Sequence, residues 1–131
     1  MKKKKGKILV MDDAKSVRDV TGAMLTHIGY DVEFAREGRE AIALYRAAKE
    51  SNDPFDAVIL DLSVQGGMGG KEAIQLLVEV DPQVKAIISS GFSGDPIMSE
   101  YQEYGFKTAI LKPYKMEELE QVLERLIRSS D

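Results

Sequence analysis

The sequence predicts an α/β domain, built on a five-stranded parallel sheet with helices on both faces in a doubly wound arrangement. Short β-rich apolar runs alternate five times with stretches of helical periodicity along the 131 residues. The third run, residues 57–60, is apolar at every position, which is typical of a strand covered by helices on both sides. The length corresponds to one domain. We therefore expect residues 1–131 to form a single domain, with residues 1–6 as a flexible basic terminus.

The predicted strands are the five apolar runs, residues 7–11, 31–35, 57–60, 84–88 and 108–111. A helix follows each strand. The first helix has apolar residues at helical spacing up to Gly29, and the second, residues 38–50, stops at the breaker formed by residues 52–54. The third follows a glycine-rich segment, residues 66–70, and ends before Pro82.

Asp95 and Pro96 predict the start of the fourth helix, because an aspartate N-cap and a proline at the first helical position are both favoured there. This helix is expected to run through Tyr104 and to close at Gly105. The final helix has a weak N-cap at Lys115 and an apolar stripe formed by Met116, Leu119, Val122, Leu123, Leu126 and Ile127.

The composition argues against several kinds of site. The chain has no cysteine and one histidine, His27, which removes disulfides and thiolate zinc sites and disfavours a serine–histidine triad. No apolar run approaches the roughly twenty residues of a membrane span, and none suits a signal peptide. The net charge is −4, and the only basic cluster is the short run of residues 2–5. We expect a cytoplasmic domain that binds neither membranes nor nucleic acid.

Parallel strands joined by right-handed helical crossovers form an open sheet, and five such units suit the flavodoxin-like strand order 2-1-3-4-5. In sheets of this kind the ligand site lies beyond the carboxyl ends of the central strands. The residues that end the predicted strands are therefore the candidates for chemistry. They are Asp12, Asp13, Asp61, Ser89, Ser90 and Lys112.

This edge of the sheet combines carboxylates, hydroxyls and one ammonium group. Carboxylates within a few ångströms repel, which raises a pKa or recruits a hard divalent cation, and Mg²⁺ is the common choice where phosphate is handled. Lys112 and a serine hydroxyl suit a phosphoryl group. Asp61 follows the most buried strand, so it is the carboxylate best directed to act as a nucleophile and form an acyl phosphate. Singly, these residues are ordinary turn, N-cap and surface residues, but their conjunction at one edge favours a site.

Four motifs at these positions carry a resemblance to a known family. They are residues 8–13 (ILVMDD), 57–62 (AVILDL), 87–90 (IISS) and 111–114 (LKPY). The sequence resembles the receiver domain of bacterial two-component response regulators, a family that includes the single-domain chemotaxis regulator. The resemblance covers essentially the whole chain, and the four motifs together are highly specific.

The resemblance implies a role for each acidic residue. Asp61 would accept a phosphoryl group from the phosphohistidine of a histidine kinase or phosphotransfer protein. Mg²⁺ would bind Asp13, Asp61 and the backbone carbonyl of Ser63, with Asp12 assisting through water. The domain would then be a signalling module with an unknown output partner. Its chemistry would be limited to self-catalysed phosphotransfer and autodephosphorylation.

The resemblance also implies that Ser89 is the switch hydroxyl and Lys112 its lysine partner, followed by a peptide bond that is usually cis. The sequence departs from the family pattern in three places. Val64 and Gln65 occupy positions where the family usually has Met-Pro, so this loop is expected to be looser. The glycine-rich segment 66–70 is similar to receivers attached to hybrid sensor histidine kinases, which leaves open whether the chain is a fragment of such a kinase or a stand-alone protein. Ala109 occupies a position where the family often has a switch aromatic. Output is therefore expected from the helix near Asp95 or from the loops alone.

Three alternatives remain open from the sequence. A receiver with a degenerate pocket would act as a phosphorylation-independent interaction scaffold. Phosphatases of the haloacid dehalogenase type also have a nucleophilic aspartate after a parallel strand, but they need a second aspartate two residues later, where this chain has Ser63. Flavin binding is disfavoured because the chain has no tryptophan and no hydroxyl-rich loop after the first strand.

Overall fold

The backbone alternates strands and helices in the predicted order. A computed structural model describes residues 4–128 of the chain. Its strands are β1 (Gly6–Met11), β2 (Tyr30–Ala35), β3 (Ala57–Asp61), β4 (Ala86–Ser90) and β5 (Thr108–Leu111). Its helices are α1 (Lys15–Ile28), α2 (Gly38–Glu50), α3 (Gly70–Val80), α4 (Pro96–Ser99), α5 (Tyr101–Tyr104) and α6 (Met116–Arg128). The strands are parallel in the order β2-β1-β3-β4-β5, so the predicted topology is confirmed.

Helices cover both faces of the sheet, as predicted. On one face, Leu25 of α1 and Leu119 and Leu123 of α6 pack against strand residues such as Ile8 and Ile59. On the other face, helices α2 to α5 form a larger apolar cluster with the remaining strand side chains. The central strand β3 is buried at every residue, which explains its uninterrupted apolar run. Packing on both faces holds β3, and with it the backbone of Asp61 at its carboxyl end, in one position.

The fourth strand lies two residues later than the prediction of 84–88, and a turn before it is the reason. Val84 donates its N–H to the carbonyl of Asp81 (3.0 Å), and the Asp81 side chain accepts from the N–H of Gln83 (3.0 Å). These bonds hold the start of the predicted strand in a turn. Ser89 and Ser90 are consequently the last residues of β4 and do not belong to the loop after it.

The prediction of one continuous fourth helix is wrong. The segment is two single turns, α4 and α5, and Glu100 between them has φ −110° and ψ 28°. Ser99 Oγ donates to the carbonyl of Pro96 (3.2 Å), so a side chain competes for a helical acceptor at the break. The predicted cap is confirmed, since Asp95 Oδ1 accepts from the N–H of Ile97 (3.0 Å).

The amino-terminal segment joins the sheet earlier than the sequence predicts. Of the terminus expected to be flexible, residues 1–3 lie outside the described residues. Lys5 donates its N–H to the carbonyl of Gly29 (3.0 Å), and Gly6 is already the first residue of β1. None of the helices within residues 4–128 is both long enough and apolar enough to cross a membrane.

Candidate functional site

The carboxyl edge of the sheet brings together side chains from four strands. Asp12 follows β1, Asp61 ends β3, Ser89 lies in β4 and Lys112 follows β5. Asp61 is in register with Ser89, and the N–H of Lys112 donates to the carbonyl of Ser90 (2.8 Å). The predicted convergence of these residues at one edge is therefore present in the structure.

Lys112 bridges two buried carboxylates. Its Nζ lies 2.6 Å from Asp12 Oδ2 and 3.0 Å from Asp61 Oδ1. The side chains of Asp12 and Asp61 are only 4% and 8% exposed. Charge-assisted hydrogen bonds are stronger where water barely reaches them. The ammonium group is thus held firmly between the two carboxylates, and the peptide bond after it, to Pro113, is cis.

The two aspartates after β1 have different surroundings. Asp12 is buried, its Oδ1 accepts from the N–H of Ala14 (2.9 Å), and its carbonyl accepts from Arg18 Nη1 (2.8 Å). Asp13 is exposed, and its Oδ2 accepts from the N–H of Gln65 (3.0 Å). Asp12 is therefore fixed by its own segment, whereas Asp13 ties the loop after β3 to the site.

The charges of this cluster do not balance. Burial raises the pKa of Asp61 above its ordinary value, the Lys112 ammonium opposes that rise, and Asp12 and Asp13 add to it. Burial alone would lower the pKa of Lys112, but its hydrogen bonds to Asp12 and Asp61 outweigh burial and raise it. One ammonium faces three carboxylates, so the cluster keeps an excess of negative charge that a bound cation would relieve.

The acidic cluster fits a hard divalent cation. Three carboxylate oxygens, one from each of Asp12, Asp13 and Asp61, lie within 4.8 Å of one another. Within residues 4–128, no other group of three or more acidic or histidine side chains comes this close together. Oxygen ligands of this kind suit Mg²⁺. Ser63 lies in the exposed loop after β3, and the role of its carbonyl as a ligand stays a prediction.

Ser89 has a buried hydroxyl without a hydrogen-bond partner. The residue is 2% exposed, and its Oγ meets no donor or acceptor in the described part of the chain. A buried hydroxyl left unpaired is costly, so its position beside Asp61 is informative. Ser90 differs, because its Oγ accepts from the N–H of Phe92 (3.0 Å) and donates to the Phe92 carbonyl (3.3 Å). Of the two predicted hydroxyls, Ser89 is therefore the one available to a ligand.

The sequence analysis missed Glu37, which follows β2 at the same edge. Its carboxylate accepts the N–H groups of Arg39 (3.0 Å), Glu40 (3.1 Å) and Met68 (3.2 Å), and these backbone hydrogen bonds lower its pKa. Glu37 thus caps α2 and fixes the glycine-rich segment, where a Cβ on Gly67 would lie 2.9 Å from that of Glu37. The available signal, Glu40 three residues later, resembles a capping box. It is weak because glutamate is not a favoured N-cap.

Fold and site together define a class of protein. The chain is a doubly wound α/β domain whose carboxyl edge has an acidic cluster, a bridging lysine and an unpaired hydroxyl. It belongs to the response regulator receiver domain family, whose family model matches residues 8–124. Receiver domains are signalling domains of two-component systems, not classical enzymes, and they work with histidine kinases or phosphotransfer proteins.

The chain spans different shares of the relatives that it matches. It is 29% identical over 121 residues to the chemotaxis protein CheY of Thermotoga maritima, a match to 92% of the chain and 96% of that protein. It is 31% identical over 131 residues to the probable transcriptional regulator ycf27 of Porphyra purpurea, of which it spans 51%. It is 32% identical over 110 residues to the CAI-1 autoinducer sensor kinase/phosphatase CqsS of Vibrio cholerae, of which it spans 15%.

Solved structures share the fold. The receiver domain of the sensor histidine kinase PA1611 from Pseudomonas aeruginosa, with a magnesium ion coordinated in its active site cleft, has a TM-score of 0.83 at 23% identity, covering 95% of this chain and 98% of that chain. A CheY-like receiver domain from Methanospirillum hungatei has a TM-score of 0.78 at 26% identity, covering 92% and 93%. The predicted family and fold class are confirmed.

Proposed function

We propose that this domain accepts a phosphoryl group on Asp61 from the phosphohistidine of a histidine kinase or phosphotransfer protein, with Mg²⁺ bound. The observation that carries the proposal is the position of Lys112 Nζ, 2.6 Å from Asp12 and 3.0 Å from Asp61. An ammonium group there stabilises the negative charge on a phosphoryl group during transfer. The proposal assigns the domain to the cytoplasm, where ATP supplies such kinases.

Asp12, Asp13 and Asp61 would hold the cation, together with the carbonyl of Ser63. Carboxylate oxygens within 4.8 Å of one another support this assignment, as does the magnesium ion of the Pseudomonas receiver domain. When bound, Mg²⁺ neutralises charge on the oxygens of the transferring group. The chain's own part is to keep the three carboxylates together, which it does through the buried position of Asp12 and the loop contact of Asp13.

Asp61 would act as the nucleophile without a general base. Lys112 binds its Oδ1, while its Oδ2 has no hydrogen-bond partner within residues 4–128. A carboxylate oxygen of Asp61 forms a bond to phosphorus as the bond from phosphorus to the donor's imidazole nitrogen breaks. The electron pair stays on that nitrogen, which takes up a proton. Lys112 and Ser89 would then face the oxygens of the new acyl phosphate.

The conformational response would begin at Ser89. Phosphorylation replaces the single negative charge of the Asp61 carboxylate with an acyl phosphate of charge about −2. The new group lies beside a hydroxyl that is buried and unpaired, so the hydroxyl gains an acceptor by moving toward it. The loop after β4 would follow, including Phe92, whose side chain is 67% exposed. With Ala109 on β5, no aromatic ring is available at that position, and the response would reach a partner through this loop and α4.

The phosphodonor would dock beside Lys112. An apolar pocket of about 280 Å³ lies there between α1 and Pro113, and Val20 on its rim is 55% exposed. Burying an exposed valine against a partner side chain favours association. We expect Val20→Asp to slow transfer from a phosphorylated histidine phosphotransfer protein about tenfold and to leave uptake from acetyl phosphate unchanged. Leu76→Asp, at a 39% exposed position, is the matched control. Parent-like transfer by Val20→Asp would exclude this docking site.

Phosphoryl acceptance is tested with acetyl phosphate as donor and intact-mass spectrometry as readout. We expect the parent protein to gain one phosphoryl group with Mg²⁺ and none with EDTA. Asp61→Asn should gain none, whereas Asp53→Asn, at a 75% exposed position, should behave as the parent. A parent that gains nothing would indicate a degenerate receiver, and a modified Asp61→Asn would exclude Asp61 as the acceptor.

A further inference from the structure

A buried pair of hydroxyls links α1 to the loop after β5. Thr21 Oγ1 and Tyr114 Oη are 2.7 Å apart, although their residues are separated by 93 positions in the chain. Thr21 is 1% exposed and Tyr114 is 8% exposed. Each hydroxyl has this one hydrogen bond among the described residues. The pair therefore resists separation, because either hydroxyl alone would be buried without a partner.

The pair joins the two chain segments that carry opposite charges of the site. Thr21 lies in α1, which begins two residues after Asp13, and Tyr114 lies two residues after Lys112. The ion pair between Lys112 and Asp12 is the direct link between the same two segments. The hydroxyl pair is a second, buried link between these segments.

The position of Lys112 depends on how its backbone is held on both sides. On the side of β5, its N–H donates to the carbonyl of Ser90 (2.8 Å). On the other side, the Tyr114 ring packs in the apolar cluster of α1 and α6, and its hydroxyl is bound to Thr21. A lysine has a flexible stem, so the direction of its ammonium group is set by these backbone anchors and by its acceptors.

We propose that the Thr21–Tyr114 hydroxyl pair is a positioning element that holds the Lys112 ammonium between Asp12 and Asp61 and thereby sets the rate of phosphoryl transfer. The inference rests on the proposed function, in which that ammonium stabilises the transferring group. Small displacements of a charged group at a reacting centre cost rate strongly, even when the altered residue is remote. The pair acts through Lys112 and touches no reacting atom.

The test compares single-turnover phosphorylation by acetyl phosphate in variants that keep the side-chain shape. Tyr114→Phe and Thr21→Val each remove one hydroxyl, and each is expected to lower the maximal rate about three- to tenfold with the donor concentration at half-maximal rate unchanged. The double variant should be no slower than either single variant, because one bond is lost in every case. Thr21→Ser keeps a hydroxyl and should transfer at the parent rate.

Three further measurements separate positioning from general loss of stability. Tyr45→Phe removes a partly buried hydrogen bond of the same length, from Tyr45 Oη to Asp81 (2.7 Å), on the other face of the sheet, and should leave the rate unchanged. Magnesium affinity by calorimetry should stay within about twofold of the parent in Tyr114→Phe, because no proposed ligand is altered. A crystal structure of that variant should show Lys112 Nζ displaced from Asp12 or Asp61.

The outcomes distinguish this inference from the function on which it rests. A parent protein that takes up no phosphoryl group would overturn both. A phosphorylated parent with Tyr114→Phe and Thr21→Val at the parent rate would overturn the positioning role alone. The same follows if Thr21→Ser is as slow as Thr21→Val, or if Tyr45→Phe is as slow as Tyr114→Phe, because the hydroxyl pair would then not be the cause.

Discussion

Two lysines of this domain each face acidic side chains, and they lie at opposite edges of the sheet. Lys112, at the carboxyl edge, contacts two carboxylates at 2.6 and 3.0 Å. Lys7, at the amino edge, contacts two carboxylates at 3.3 and 3.2 Å. The lysine side chains are similarly covered, at 21% and 17% exposed. Each lysine therefore contacts two carboxylates, and the contacts at the carboxyl edge are the shorter ones.

The acidic side chains differ in exposure. Asp12 and Asp61 at the carboxyl edge are 4% and 8% exposed, whereas Glu33 and Asp53 at the amino edge are 46% and 75% exposed. Water and salt screen the amino-edge pairs, which are worth about 1 kcal/mol or less. At the carboxyl edge, burial removes water from the Asp61 carboxylate and raises its pKa. The negative charge of the three neighbouring aspartates there would be stabilised by a bound cation. Burial of the acids that contact the lysine distinguishes the candidate site from surface ion pairs.

Sheet geometry accounts for the difference. In the parallel pairing of β1 with β3, Met11 lies opposite Leu60. The residues that follow them, Asp12 and Asp61, therefore lie side by side. At the amino edge, Glu33 lies within β2 and Asp53 in the loop before β3, and they share only Lys7. That lysine also lies 4.6 Å above the ring of Phe55, a contact that serves packing.

The largest expected contrast is between the two lysines themselves. Lys112→Ala should slow phosphoryl uptake from acetyl phosphate at least 100-fold, because it removes a charged donor aimed at the transferring group. Lys7→Ala should keep the parent rate and lose about 1 kcal/mol of stability through its ion pairs and its ring contact. Rates by intact mass and unfolding in urea measure both effects. Equal rates in the two variants would remove the functional distinction between the edges.

Magnesium should stabilise the domain by binding at the carboxyl edge of the sheet only. At a Mg²⁺ concentration ten times the dissociation constant, binding raises the free energy of unfolding by about 1.4 kcal/mol. We expect this gain in the parent and in Asp53→Asn, and its loss in Asp13→Asn, because Asp13 belongs to the acidic cluster. Thermal unfolding with and without Mg²⁺ measures it. A full gain in Asp13→Asn would show that the ion binds elsewhere.

The smallest expected effect concerns Asp81, an amino-edge acid that serves stability. Burial favours its neutral form, but hydrogen bonds from Tyr45 and the Gln83 N–H, with the charge of Lys49, outweigh burial and lower its pKa. Its contribution, about 1 kcal/mol, is therefore present above the unfolded pKa, near 4, and is lost as pH falls through the lower folded pKa.

Urea unfolding between about pH 6 and pH 3 tests the role of Asp81. Asp81→Asn should be less stable at the upper end of this range and should lose less stability on acidification than the parent. Phosphoryl uptake should not change. A parent and variant with the same slope of stability against pH would show that Asp81 does not titrate differently in the folded state.

Most of the fold could be predicted because its signals are local. Apolar runs, helical spacing and breakers such as Gly29 and Pro82 depend on a few neighbouring residues. Two of the differences from the predicted elements occur where a specific hydrogen bond competes with the local pattern. The turn at Asp81 delayed β4, and the bond from Ser99 to Pro96 accompanies the split of the fourth helix.

The candidate site could be predicted in part for a different reason. Strand order alone brings the residues after β1, β3 and β5 to one edge, so Asp12, Asp61 and Lys112 were found without distances. Strand order does not indicate that Ser90 bonds to its own loop while Ser89 stays unpaired. Nor does it reveal contacts made by helices and loops, such as those of Glu37.

The sequence by itself determined which chemical groups the chain has, the order of its strands, and hence the edge at which acids and lysine meet. Only the tertiary structure decided that Lys112 contacts carboxylates 100 and 51 residues away and that those carboxylates are buried. The physical reason is that the solvation of a charge depends on every atom within a few ångströms. Those atoms come from segments whose packing no short stretch of sequence specifies.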